Sequence, residues 1–373
     1  MTVDPAGVLS QIDWNTIAGR PAVPLATEEV HRRVAGRTVL ITGAGGSLGR
    51  PLAAALAAAG AGCLVLYDHH ESSLFRLRQS LLAASPAPAL RAVLGDVRDA
   101  RRLMRVFGEE QPHLVYHLAA YKHVPWGEED PEAFISANVL GAQAVLDAAC
   151  AAGVEQIVYP STDKAIHPPS LYGATKRLVE ALLLAAASRG GPRCVIVRFV
   201  NVLGSQGSAP ETFALQIAAG RPLTVTHPEM RRFWITPEHA MVLLLHAACA
   251  DDRATIVAPD AGEEITVLEI VQRLYRALRP VRPEAPETVP PITVTGLRPG
   301  ERLTEPLVAP GEWLERTPLP GVLAVRGSAG LDPTTVTRAL AQVAEAVQAG
   351  APPAVLRETL FDACRALEQR TGR

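Results

Sequence analysis

From Arg37 to Phe199, short apolar runs alternate with helix-forming stretches, and the first run empties into a glycine-rich turn. RTVLIT, CLVLYD, LRAVLGD, LVYHLAA, QIVYPST and CVIVRF have strand length, and the stretches between them are long enough for helices. Parallel neighbours need long crossovers, so this rhythm spells βαβ units and a parallel sheet covered on both faces. Right-handed crossovers wind the helices onto both sides. The expected class is α/β: a doubly wound parallel sheet followed by a smaller C-terminal lobe.

Residues 1–36 read as an N-terminal extension, 37–200 as the wound domain, 201–310 as mainly the lobe, and 311–373 as a helical tail. After Asn201 the alternation loosens around strand-like ATIVAP, helix-like TVLEIVQRLYRAL and a Pro-rich linker, RPVRPEAPETVPP. The tail carries two amphipathic helices, VTRALAQVAEAVQA and VLRETLFDACRAL. Together with the apolar helix after Tyr172 they imply a homo-oligomer built by helix pairing.

Hydrophobic residues make up 48% of the 373, which supplies a substantial core and argues against disorder. A formal charge of −2 provides no basic field for nucleic acid. The five cysteines are scattered without a CxxC pair, and the ten histidines lack HExxH spacing, so neither a disulfide framework nor a metal site is expected. The N-terminus has no basic start followed by an apolar run, and the apolar stretch Pro51 to Tyr67 is too short to span a bilayer. A soluble, cytoplasmic protein without a membrane span is expected.

Gly43, Gly46 and Gly49 stand three apart in TGAGGSLG, where a strand hands over to a helix. Glycine permits the tight turn and the close approach of a pyrophosphate to the helix N-terminus. Gly43, Gly46, Ser47, Leu48 and Gly49 are therefore read as a dinucleotide cradle. Asp68 ends the second strand, where a carboxylate accepts from a ribose 2′-hydroxyl and disfavours a 2′-phosphate. NAD is thus favoured over NADP, with His69 and Arg76 able to reverse the preference. Asp96 and Val97 are placed to meet the adenine, a strand-end cap being the competing reading for Asp96. Ala119, Ala120 and Tyr121 are expected beside the nicotinamide half.

Tyr172 and Lys176 open a helix at i, i+4, which puts phenol and ammonium on one face. A nearby ammonium and the nicotinamide's charge would lower the phenol's pKa, letting it exchange a proton with a sugar hydroxyl. Thr162 is the natural hydroxyl partner. Of the 36 basic residues only three are lysines, Lys122, Lys164 and Lys176, and the other 33 are arginines. Arginine replaces lysine on a solvated surface but not where an amine must give up a proton. Chance explains any one survivor; that all three fall in polar, motif-like stretches points to chemistry.

TGAGGSLG, HLAAYKHVPWGEEDPEAFISANVLGAQAVLDAA, STDKAIHPPSLYGATKR, RFVNVLGSQGS, HPEMRRFWIT and TGLRPGERL together resemble the polysaccharide-biosynthesis branch of the extended short-chain dehydrogenases/reductases. These are the UDP-N-acetylglucosamine 4,6-dehydratases. The similarity covers residues 20–310, and STDKA is its most specific part. It implies a Rossmann fold, tightly held NAD or NADP, and a UDP-sugar substrate, UDP-N-acetylglucosamine foremost. It further implies catalytic roles for Thr162, Asp163, Lys164, Tyr172 and Lys176. Oxidation at sugar C4 acidifies the C5 proton, Lys164 removes it, Asp163 protonates the departing C6 hydroxyl, and hydride returns to C6. A lysine base is demanding, because a free amine titrates near ~10.4 and must be lowered by about three units, roughly 4 kcal/mol, to act at neutral pH.

The resemblance also implies that Lys122 and His123 face the substrate and that Asn201, Arg232, Arg298 and Glu301 grip its nucleotide half. Asn138 is expected to bond backbone beside the site and help hold Lys176. Tyr172 stands where many long members carry Met, Val200 where Gly is usual, and Trp126-Gly127 where a bulkier aliphatic pair is found. The nearest alternative is a nucleotide-sugar epimerase or ketoreductase on the same fold, against which Asp163-Lys164 argues. A non-catalytic dinucleotide sensor, the alternative from another class, could dispense with Thr162, Tyr172 and Lys176.

Overall fold

A computed structural model describes residues 5–9, 11–83, 88–205, 207–279, 289–327 and 331–368. Most of the Pro-rich linker, residues 280–288, lies outside the described residues. The alternating runs form strands β1 (Thr38–Thr42), β2 (Cys63–Asp68), β3 (Ala89–Leu94), β4 (Leu114–His117), β5 (Gln156–Thr162) and β6 (Arg193–Phe199). Three later strands, β7 (Ala254–Pro259), β8 (Trp313–Arg316) and β9 (Val322–Arg326), join them in one nine-stranded sheet. Its order is β8-β9-β7-β6-β5-β4-β1-β2-β3. Every pairing from β3 across to β7 is parallel, whereas β9 runs antiparallel to β7 and β8 antiparallel to β9.

Among the longer helices are α1 (Gly49–Ala58), α2 (Glu71–Ala83), α3 (Ala100–Glu110), α4 (Gly141–Ala151), α5 (Leu171–Ser188), α6 (Pro237–Ala247), α7 (Val267–Leu278), α8 (Pro333–Gln348) and α9 (Pro353–Glu368). All seven residues of β5 are buried, which is why this strand reads as a continuous rather than alternating apolar run. One face packs Leu103, Val145, Leu178, Leu340 and Leu360; the other packs Leu52, Leu56, Leu74 and Leu243. Each such leucine contributes about 1.5–3 kcal/mol of burial. Chain direction across the sheet reverses between β1 and β4, so a crevice opens beyond their carboxyl ends, the usual ligand position in such sheets.

The lobe has its own core around Leu203, Phe213, Leu223 and Leu274. Small strand pairs frame it, Asn201–Val202 beside Trp234–Ile235 and Leu223–Val225 beside Ile292–Val294.

Several boundaries differ from expectation. The N-terminal stretch is built into the molecule: Trp14 and Ile17 enter the lobe core, and Val30 and Val34 pack under the sheet. ATIVAP, placed in the lobe, is sheet strand β7. Residues 311–373 are not helical throughout, because β8 and β9 extend the sheet before α8 begins. The tail's apolar faces are also spent within the chain, with Leu340 and Leu360 sharing a core with Leu178 and Leu182 of α5. Within the chain, α8 and α9 thus pack against α5. Finally, the long helix before β5 is interrupted by a π-helical turn, Ile135–Leu140, between Pro131–Phe134 and α4. Among the described residues the run Pro131–Ala151 is the one helix long and apolar enough to cross a membrane, and it is mostly buried in this core.

Candidate active site

The β1–α1 turn is built around glycines that no other residue could replace. Gly43 sits at φ +69°, and a Cβ there would lie 2.8 Å from the Ala119 nitrogen. A Cβ on Gly49 would lie 2.3 Å from the Gly43 carbonyl oxygen. Gly46 and Ser47 are exposed at the head of α1, and the N–H groups of Ser47 and Leu48 donate to no acceptor among the described residues. That cradle fits a dinucleotide's phosphates. Asp68, 6% exposed, accepts from the backbone N–H of Gly45 through one oxygen and of His70 through the other, both at 2.8 Å. Its carboxylate is thus pre-set at the end of β2.

Asp96 behaves as the strand-end cap: Arg98 chelates both of its oxygens, at 3.0 and 2.6 Å, and holds its carboxyl below the usual range. Val97 turns into the core, where a Cβ on Gly141 would approach it to 2.8 Å, so its side chain is not a binding surface. Ala119, Ala120 and Tyr121 follow β4. Asn138, inside the π-helical turn, clamps Tyr121 by accepting from its N–H at 2.8 Å and donating to its carbonyl at 2.9 Å. Asn138 also reaches Thr175 Oγ1 at 3.1 Å, one residue short of the expected contact. Lys176 is held instead by the Pro160 carbonyl, 2.9 Å away, with its Nζ 4.5 Å from the centre of the Tyr159 ring.

The end of β5 and the start of α5 bring Thr162, Asp163, Lys164, Tyr172 and Lys176 together. Ser170 caps α5 by accepting from the Gly173 N–H, which fixes where Tyr172 emerges. The Thr162 hydroxyl donates to Asp163 Oδ1 at 2.9 Å and lies close enough to the Tyr172 phenol to oppose its upward shift. Lys164 Nζ donates to the same Asp163 oxygen at 3.0 Å. Asp163 is 1% exposed, and its Oδ2 has no hydrogen-bond partner among the described residues.

Burial drives the ammonium of Lys176 down to about 7, against an opposing pull from Glu180. The phenol of Tyr172 moves the other way: burial first, then the Asp163 carboxylate, push it above its ordinary value. Within the protein alone the expected lowering of the phenol is therefore reversed, because the Lys176 ammonium is turned toward Pro160. His117 lies beneath this cluster, stacked on Tyr159 and bonded to Thr42, and burial lowers it to about 3.

Lys122 and His123 are exposed on the loop after β4, with the His123 ring packed over Gly207 of the lobe. Of the residues assigned to the nucleotide half, Asn201 donates to the Phe233 carbonyl at 3.4 Å. Arg298 is exposed. Glu301 caps its own turn by accepting from the Arg298 N–H at 2.9 Å. Arg232 departs furthest from expectation: it is 5% exposed and gives its terminal nitrogens to the carbonyls of Arg231, Arg302 and Leu303. It stitches the segment after the LRPGE turn into the wall of the site.

A profile of the family described as polysaccharide biosynthesis protein matches residues 39–326, a span that contains all of these site residues. The chain belongs to that family. The probable polysaccharide biosynthesis protein EpsC of Bacillus subtilis is 35% identical over 308 residues, covering 82% of this chain and 51% of the relative. The chain thus spans about half the length of that relative. A UDP-N-acetylglucosamine 4,6-dehydratase (inverting) of Campylobacter jejuni is 33% identical over 278 residues, 73% of this chain and 78% of that protein. Among solved structures, Pen from Bacillus thuringiensis superposes with a TM-score of 0.70 at 27% identity, over 78% of this chain and 88% of that one. The fold is the Rossmann type of the extended short-chain dehydrogenases/reductases.

In this polysaccharide biosynthesis family member the sequence reading missed one site group. Glu305 is 2% exposed and sits 3.9 Å from Lys164 Nζ and 3.6 Å from Arg232. An acidic residue in the apolar context LTEPLV was the available signal. A separate cleft of about 1040 Å³, lined by Asp147, Cys150, Arg193 and Leu340, opens at the amino end of β6 and is remote from this chemistry.

Proposed function

We propose that this protein is a nucleotide-sugar 4,6-dehydratase acting on a UDP-N-acetylhexosamine, UDP-N-acetylglucosamine foremost, to give the 4-keto-6-deoxy sugar. The observation that carries the reading is the pair formed by buried Asp163 and partly buried Lys164, 3.0 Å apart, beside Thr162 and Tyr172. Epimerisation at C4 needs a proton-exchanging phenol and a hydride carrier, but no second acid–base pair. Nicotinamide dinucleotide held at the glycine turn supplies a hydride acceptor for sugar C4 and the same hydride for C6. NAD is favoured, because Asp68 presents a carboxylate where a 2′-phosphate would have to sit.

The protein's own steps are proton transfers. Tyr172 takes the proton of the C4 hydroxyl as that carbon becomes a ketone. Lys164 takes the C5 proton, and Asp163 gives a proton to the C6 oxygen, which leaves as water. These roles need an amine and a carboxylic acid, whereas an ion pair is an ammonium and a carboxylate. One proton moved across the 3.0 Å bond from Nζ to Oδ1 converts one pair into the other. Closing the site over a sugar removes water and disfavours the separated charges, which promotes that shift. After elimination Lys164 holds a proton and Asp163 does not, which restores the ion pair. Once hydride reaches C6, C5 needs one proton, which balances the one Tyr172 took from the C4 hydroxyl, so the cycle closes when that proton is returned.

Incubating the purified protein with candidate UDP-sugars and weighing the products tests the reading. Loss of one water without added reductant supports it; an isomer of unchanged mass indicates an epimerase, and no turnover of any sugar sinks it. Lys164→Met is expected to abolish water loss while dinucleotide binding, read by fluorescence titration, stays within about twofold. Dehydration by that variant at the parent rate would refute the assignment of the base.

A further inference from the structure

Glu305 has no part in the proton inventory above, yet it is among the most buried charged groups of the site. It lies on the segment following the LRPGE turn, which is fastened from two sides. Arg232 donates to the carbonyls of Arg302 and Leu303, and Arg302 donates to the carbonyls of Ile166 and His167, just past Lys164. This double fastening drives Glu305 Oε1 toward Lys164 Nζ, opposite the tether from Asp163. On the two carboxylates that face this amine, the other oxygens, Asp163 Oδ2 and Glu305 Oε2, are buried and have no hydrogen-bond partner among the described residues.

We propose that Glu305 is a positioning residue for Lys164: from the lobe side it holds the amine over the sugar and sets the pH at which the amine gives up its proton. The inference rests on the dehydratase reading for its purpose, but its physical content does not. A solitary tether at Asp163 leaves Nζ free to swing about that one bond, and a second acceptor 3.9 Å away narrows the arc. The charged and titratable groups facing this point are Asp163 and Lys164 from β5 and its turn, Tyr172 from α5, Arg232 from the lobe, and Arg302 and Glu305 from the segment itself. Burial raises the Glu305 carboxyl above the usual range, while the cations Lys164 and Arg232 oppose that rise. Its charge is therefore felt at close range through little water.

The scarcity of lysine makes the test direct, since Lys164 is one of only three in the chain. The full-length protein is labelled with acetic anhydride across a pH series, and the acetylation rate of the Lys164 peptide is read by mass spectrometry. In Glu305→Gln, loss of a negative charge favours the neutral amine, so the labelling midpoint is expected to fall by about half to one pH unit. An unchanged or raised midpoint overturns the proposal. Glu305→Asp keeps the charge and serves if the glutamine variant does not fold; its Lys164 labelling rate is expected to rise about threefold at the parent midpoint as the tether shortens away. No rise in that variant overturns the proposal equally.

With UDP-N-acetylglucosamine, Glu305→Gln is expected to form reduced nicotinamide at the parent rate but to exchange C5 hydrogen with deuterated water about tenfold more slowly. Equal losses in both steps would mark general damage and refute a positioning role. A parent protein inert toward every UDP-sugar would instead remove the dehydratase reading and leave the labelling result standing.

Discussion

Lys176 shows how far the site sacrifices stability for chemistry. Its amine is 3% exposed, has one carbonyl partner, and is lowered by burial to about 7. An unfolded chain keeps that proton up to about pH 10.4, so between roughly 7 and 10.4 the unfolded state binds more protons and stability rises with pH. Below 7 the penalty is felt in full. Lys176→Met is therefore expected to raise stability at pH 7 by on the order of 1–3 kcal/mol, and the melting temperature with it, while abolishing turnover. The gain should shrink as the pH approaches 10. A melting temperature below the parent's at pH 7, measured by calorimetry, would contradict this account.

At the scale of elements, the glycine turn is the least forgiving junction. Gly49→Ala would drive a Cβ to 2.3 Å from the Gly43 carbonyl, a rigid backbone atom. The turn must open, and both stability, by about 2–4 kcal/mol, and dinucleotide binding should fall together. Denaturant melts and cofactor titration check this, and unchanged binding would show that the cradle lies elsewhere. This junction was legible in the sequence because everything it needs is local: a strand, three glycines and a helix within a dozen positions. Tyr172 and Lys176 were legible for the same reason, one helical turn apart. Glu128 was not. Its carboxylate accepts from the Leu171 N–H at 2.7 Å and pairs with Arg357 of α9, 229 positions away, so that the last helix braces the head of α5. No local pattern announces such a contact. The carbonyl partners of Arg232 were hidden for a related reason, since an arginine that feeds backbone carbonyls looks in sequence like one that feeds phosphates.

For the molecule as a whole, the wound sheet was legible in the sequence as far as β6, where the βαβ rhythm stops. The two antiparallel strands after the lobe were not, because VLAVR and WLER are short and follow a long non-repeating stretch. Acid stability is also a property of the whole. His117, between β1 and β5, is kept neutral by burial, with a value near 3. The unfolded chain takes up that proton below about pH 6.5, so stability should decline steadily as pH falls from 6.5 toward 3. His117→Asn is expected to flatten that decline by about 1 kcal/mol per pH unit or more, read from urea melts at several pH values. An identical slope would show that other groups dominate.

The way Arg232 and Arg302 hold the segment over Lys164 has a structural consequence. Both recognise main-chain oxygens, which every amino acid carries, so this fastening does not depend on which side chains stand at positions 166, 167 and 303. The path of the backbone over Lys164 is thereby insulated from the chemistry of the side chains that line it.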